Sequence, residues 1–155
     1  MADTPAGLDG IEVGTELGVS GWVTVDQAMI DAHAEVTGDR DWIHNNVARA
    51  TREGPFGAPI AQGSLLVGNL VRMQEQVIRA AGDAALGYAL NYGFDRLRFV
   101  HPVRAGERIR ARLRVDGVRE REDGARVVTL DVEVEIEGRD RPALVAAWLA
   151  LLPSR

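Results

Sequence analysis

The chain contains no cysteine and no lysine, so all 18 of its basic residues are arginine. Without a thiol there is no disulfide framework, no cysteine nucleophile, no Cys-ligated zinc and no iron–sulfur centre. Without an ε-amine, Schiff-base chemistry and the lysine of a phosphate-binding P-loop are excluded as well. Concentrated positive charge is also missing. The 23 acidic residues leave a formal net charge of −5, and no segment forms the basic stripe of a nucleic-acid binder. Met1 to Gly10 has neither the cationic start nor the apolar run of a secretory signal. The longest apolar stretch, Ala143 to Leu152, is about half of the roughly 20 residues a membrane-spanning helix needs. These deficits predict a cytoplasmic protein with no nucleic-acid or membrane partner.

What the chain does have is 155 residues, 46% of them hydrophobic, with no internal repeat and no linker rich in Pro, Gly or Ser. Residues 1–155 are expected to form one domain, frayed over residues 1–10, with a core that needs no disulfide or structural metal. Thr24 followed by Gln27 reads as a capping box, and Ala28, Ile30, Ala34 and Val36 run to Gly38, predicting a helix over Val25 to Thr37. Between Gly38 and Pro59 the period is lost and Gly54, Pro55, Gly57 and Pro59 gather, which predicts a long ordered loop. Loops of that length in a compact domain are usually functional or disordered. Ser64 is placed to cap a second helix, in which Leu66, Leu70, Met73 and Val77 mark one apolar face and Leu65, Val67, Val71 and Ile78 add others. Such a helix should be wrapped, and the strands expected over Tyr88 to Phe99, Arg108 to Val118, Arg126 to Glu137 and Ala143 to Leu152 supply the wrapper.

In the middle two strands apolar and charged residues alternate, giving each one core face and one solvent face. A two-residue type I′ turn at Asp123-Gly124 would place Arg114 opposite Glu133, Arg112 opposite Glu135 and Arg110 opposite Glu137. Leu113–Val134 and Val115–Val132 would then meet on the core face. The charges read as a solvated sheet surface and not as a place for catalysis.

Only His33, His44 and His101 can supply an imidazole. His33 falls inside the first helix and His101 just before Pro102 in a connection, so both read as structural or surface residues. His44 lies in the long loop with Asp39 and Asp41 close by, and a carboxylate with an imidazole on one loop can hold a water and move its protons. A metal site built on Asp39, Asp41 and His44 would need further His ligands that this chain can hardly provide. At Gly63, next to the start of the apolar helix, a substrate oxygen could approach an unpaired backbone N–H, the arrangement of an oxyanion hole. A glycine turn before a serine cap reads the same segment equally well.

Four ordered motifs carry a resemblance. They are Thr37-Gly38-Asp39 with Ile43-His44, Phe56-Gly57 with Ile60-Ala61 and Gly63, Asn91-Tyr92-Gly93, and Leu97-Arg98-Phe99-Val100 with Pro102-Val103 and Gly106. Together, over roughly residues 14 to 152, the chain resembles the MaoC-like, hydratase-2 type of hot-dog protein. The resemblance implies an α+β fold in which a curved antiparallel sheet wraps one long central helix, paired as a homodimer. It implies (R)-specific hydration of trans-2-enoyl-CoA to (R)-3-hydroxyacyl-CoA, or the reverse dehydration, in fatty acid metabolism. No cofactor is implied beyond the coenzyme A carried by the substrate. Asp39 and His44 become the catalytic pair, the amide of Gly63 polarises the thioester carbonyl, and Gln62, Ser64, Leu65 and Leu66 are candidates around the bound acyl thioester. The chain departs from the family pattern at Asp41, Trp42, Asn46 and Gln62. An acyl-thioester-binding or partner module without catalysis is the alternative, and a hot-dog acyl-CoA thioesterase a further one.

Overall fold

A computed structural model describes residues 11–80 and 89–154. The expected frayed start over residues 1–10, and Tyr88 at the expected start of a strand, lie outside the described residues. In chain order come β1 (Glu16–Val19), β2 (Val23–Thr24), α1 (Gln27–Thr37), α2 (Trp42–Asn45), α3 (Val47–Glu53), α4 (Gly63–Ala80), β3 (Leu90–Phe99), β4 (Arg108–Glu120), β5 (Arg126–Ile136) and β6 (Leu144–Leu152).

The strands form one antiparallel sheet in the order β1-β4-β5-β6-β3, with β2 also paired to β4. The sheet's inner face is the apolar half of each alternation: Ile109, Ala111, Leu113 and Val115 on β4, Leu130, Val132, Val134 and Ile136 on β5, and Leu144, Ala146 and Trp148 on β6 are all buried. Against it lies α4, which buries Leu65, Leu66, Leu70, Met73 and Val77 at helical spacing. Burying side chains of that size stabilises the fold by about 1.5–3 kcal/mol each. The helix within a curved sheet is the architecture the motifs imply, although Val71 on the far side of α4 remains 47% exposed, so the wrapping is one-sided.

Local expectations were corrected in four places. The first helix begins at Gln27 and not Val25, and its cap is Asp26, whose Oδ1 accepts from Met29 N at 2.8 Å. A carboxylate directly before the first turn competes better for an orphan N–H than Thr24 two residues further out. Gly38 ends the helix as expected, at φ 78°. The expected loop from Gly38 to Pro59 contains two short helices, α2 capped by Asp41 Oδ1 on Ile43 N (3.1 Å) and α3 capped by Asn46 Oδ1 on Arg49 N (3.0 Å). Two helices of 4 and 7 residues are too short to show a period, and only their Asx caps mark them in the sequence. Ser64 does not cap α4. It is already helical, and the carbonyl of Gln62 receives the first N–H groups, from Leu65 and Leu66.

The hairpin register was the fourth. Arg110 stands opposite Glu135, Arg112 opposite Glu133 and Arg114 opposite Asp131, while Leu113 meets Val132 and Val115 meets Leu130. The turn spans Glu122 to Gly124 within an Arg121 to Ala125 bond, with Gly124 at φ 78°, and a bulge between Val115 and Gly117 shifts the pairing once more. The two shifts together preserve the faces, so the charged side chains stay outside. There Glu135 takes Arg110 Nε at 2.6 Å and Arg112 Nη2 at 3.2 Å, and Arg110 stacks over Trp22 at 4.5 Å.

Candidate active site

The site is assembled where the α1–α3 region meets the start of α4 and the connection after β3. His44 sits near the end of α2 and is fixed twice. Its carbonyl accepts from Gln27 Nε2 at 2.8 Å, and its Nδ1 lies 2.7 Å from the carbonyl oxygen of Ile60. A carbonyl only accepts, so Nδ1 carries the hydrogen and Nε2 of the neutral ring is left with its lone pair free. Asp31 on α1 completes the support, its Oδ1 accepting from Gln27 Nε2 at 2.9 Å and from Asn45 Nδ2 at 2.7 Å. The strand-like segment at Ile60 is in turn held by Ile43 O and by the bridge between Ile60 and Arg104.

His44 and Gly63 line one cavity of about 280 Å³, together with Ile60, Ala61, Leu66, Phe99, Val100, His101, Pro102 and Val103. Gly63 N, the first amide of the 18-residue α4, has no hydrogen-bond partner among the described residues. It lies at the positive end of the α4 dipole, where negative charge is favoured. A Cβ at Gly63 would lie 2.7 Å from Phe99 Cζ, so any larger residue there would have to push the Phe99 ring outward. Phe99 itself is 54% exposed, and with Gly63 it forms one wall of the cavity.

Asp39 is placed differently. Its exposed carboxylate does not line the cavity, and its segment is tied from both sides, by Thr37 Oγ1 accepting from Asp39 N (3.3 Å) and by Gln62 Nε2 donating to Asp39 O (3.4 Å). The same Gln62 Nε2 donates to Ile30 O at 3.2 Å, so this buried amide joins α1, the Asp39 turn and the start of α4. Two carbonyls on one side fix which end of the amide carries nitrogen. Of the remaining sequence candidates, Leu66 lines the cavity and Leu65 is buried in the main core. Ser64 is exposed and its Oγ lies 2.7 Å from His33 Nε2, so His33 is an interhelical contact. Asp41 is spent as the cap of α2. Among the described residues no three His, Asp or Glu side chains gather as a metal site would require.

Sequence reasoning missed His101, Phe99 and Gln27. Phe99 belongs to the Leu97 to Val103 motif, whereas His101 occupies its unspecified position, and the motif is brought beside His44 by the hydrogen bonds from Ala61 N to Val103 O (2.8 Å) and from Ala105 N to Pro59 O (2.9 Å) and by the Ile60–Arg104 bridge.

A curved sheet around a long helix, with an imidazole and a helix-terminal amide on one cavity, defines the hot-dog class. The MaoC like domain family matches residues 10–137, and the chain belongs to that family. It is 42% identical over 139 residues to nodulation protein N of Rhizobium meliloti, covering 90% of this chain and 85% of that protein. To 3-hydroxyacyl-thioester dehydratase Z of Mycobacterium tuberculosis it is 39% identical over 133 residues, covering 86% and 85%. Among solved structures, a monoamine oxidase regulatory protein from Archaeoglobus superposes with a TM-score of 0.79 at 27% identity, over 100% of this chain and 99% of the other.

Proposed function

We propose that this protein is a hydro-lyase that adds water to trans-2-enoyl-CoA to give (R)-3-hydroxyacyl-CoA, and catalyses the reverse dehydration. The observation that carries this reading is the pairing of His44 with Gly63 on one largely apolar cavity, with Nδ1 of His44 committed to Ile60. The neutral ring begins as an acceptor at Nε2. It takes a proton from water as the oxygen attacks C3, and the imidazolium so formed delivers a proton to C2. Asp39 assists deprotonation of the same water, and the N–H of Gly63 receives the enolate-like oxygen that develops on the thioester. No separate cofactor takes part in this scheme, and the working unit is a homodimer in the cytoplasm. With no lysine in the chain, any contact to the coenzyme's phosphates is made by arginine or backbone.

The kinship with a 3-hydroxyacyl-thioester dehydratase supports the reaction class. A second reading, an acyl-thioester-binding module without catalysis, is favoured by one observation, the exposed Asp39 carboxylate off the cavity wall. Offering a short and a long trans-2-enoyl-CoA separates the readings. Loss of the conjugated double bond with a 3-hydroxyacyl thioester as product supports the hydratase, release of free thiol identifies a thioesterase, and binding without either product identifies the module.

A further inference from the structure

We propose that His101 is a substrate-binding residue whose Nε2 accepts a hydrogen bond from an amide N–H of the pantetheine arm, so that the site selects thioesters carrying that amide; this rests on the enoyl-thioester reading above. His101 lines the same cavity as His44 and Gly63. Its Nδ1 lies 2.8 Å from the carbonyl oxygen of Pro102, which can only accept, so Nδ1 carries the hydrogen and the neutral ring presents a lone pair at Nε2. Among the described residues Nε2 has no partner. The ring is not on a loose segment either. Val100 N and His101 N both donate to Ala143 O, at 2.8 and 3.4 Å, and Pro102 restricts the backbone that follows.

The remaining lining residues, Ile60, Ala61, Leu66, Phe99, Val100, Pro102 and Val103, offer apolar side chains. An enoyl thioester in this cavity has its carbonyl oxygen matched to Gly63 N–H and its attacking water to His44. That leaves the acceptor on His101 without a partner from the described residues or the reacting groups, so a ligand N–H placed there can replace the water that would otherwise donate to it. The enoyl chain has no N–H or O–H, and the 3-hydroxyl exists only in the hydrated form, whereas the arm carries a secondary amide a few bonds from the sulfur in both. The contact therefore belongs to the arm and not to the acyl group, and it should act on binding more than on the chemical step.

The test compares the crotonyl thioester of N-acetylcysteamine with that of 1-pentanethiol, similar in length but without the amide, on wild type, His101→Phe and His101→Gln. In His101→Phe the preference for the amide thioester, as a ratio of kcat/KM values, should fall roughly 5–10-fold, the worth of one hydrogen bond, and the change should lie in KM. His101→Gln, whose Oε1 can accept, should recover part of it. Calorimetric binding of the saturated butyryl thioesters of the same two thiols reads the contact without turnover. A wild type that shows no preference in binding overturns the proposal, as does a fall in kcat on both thioesters with KM unchanged. A wild type that hydrates neither thioester but binds with a His101-dependent preference overturns the hydratase reading and leaves this one standing.

Discussion

The His44 imidazole has one nitrogen committed to Ile60 and one free, so His44→Gln should keep much of the shape while removing proton transfer, at a cost of about 10²–10⁴ in kcat. Asp39→Asn should cost a similar factor if its carboxylate reaches the same water, and the double variant should then lose little more than the worse single one. Steady-state rates on a short enoyl-CoA measure this, and folded Asp39→Asn hydrating at the wild-type rate would sink the paired mechanism. His33→Gln is the control: its partner Ser64 is exposed and off the cavity, so kcat should stay near wild type. The sequence singled out His44 and Gly63, which the fold brings to one cavity, because each stands in a spaced motif of the residue type its proposed chemistry needs; Asp39, singled out in the same way, stands off that cavity wall. His101 was not singled out, because before the chain folds it is only a residue ahead of a proline, and its value comes from a neighbour some forty positions earlier.

At the scale of elements, the strand alternation on β4 and β5 fixed which side chains face out but not which ones meet, because a register slip of two leaves every face unchanged. The turn and the bulge that set the register depend on backbone twist, which composition reports poorly. Arg112→Glu should lower stability by no more than about 1 kcal/mol and leave turnover intact, as chemical denaturation and a rate assay would show, since this exposed pair lies on the face away from α4. Its partner Glu135 has a pH signature. Partial burial works to raise that carboxyl, but hydrogen bonds and charge from Arg110, then Arg112, outweigh it and hold it below the usual range. A carboxyl lowered on folding contributes stability above its unfolded value, and that contribution is lost as pH falls through the lowered folded one. Glu135→Gln should therefore show a shallower loss of stability between neutral and acid pH than wild type when denaturation midpoints are compared across that window.

For the whole molecule, the sheet order is the deciding feature. The apolar strand over Ala143 to Leu152, which the sequence marks as the one without a charged face, is interior, hydrogen-bonded to β5 and β3 on its two sides. Of the two edges, β1 is a strand of only 4 residues, whereas β3 has 10 and exposes Leu90, Tyr92 and Phe99, and its unpaired backbone groups invite another strand. A second copy joined along β3 is the expected partner, so light scattering at micromolar concentration should give twice 16.8 kDa, and a species at 16.8 kDa alone would count against it. Within each copy, Gln62 joins segments that come from three parts of the chain, with Nε2 between the carbonyls of Ile30 and Asp39. Both protons of one primary amide are thus held by different acceptors, which should move their two resonances away from those of a solvated amide and slow their exchange with solvent. That pair of signals makes Gln62 an intrinsic probe of the Asp39 turn, able to register without any substitution whether the turn tightens or opens when a thioester enters.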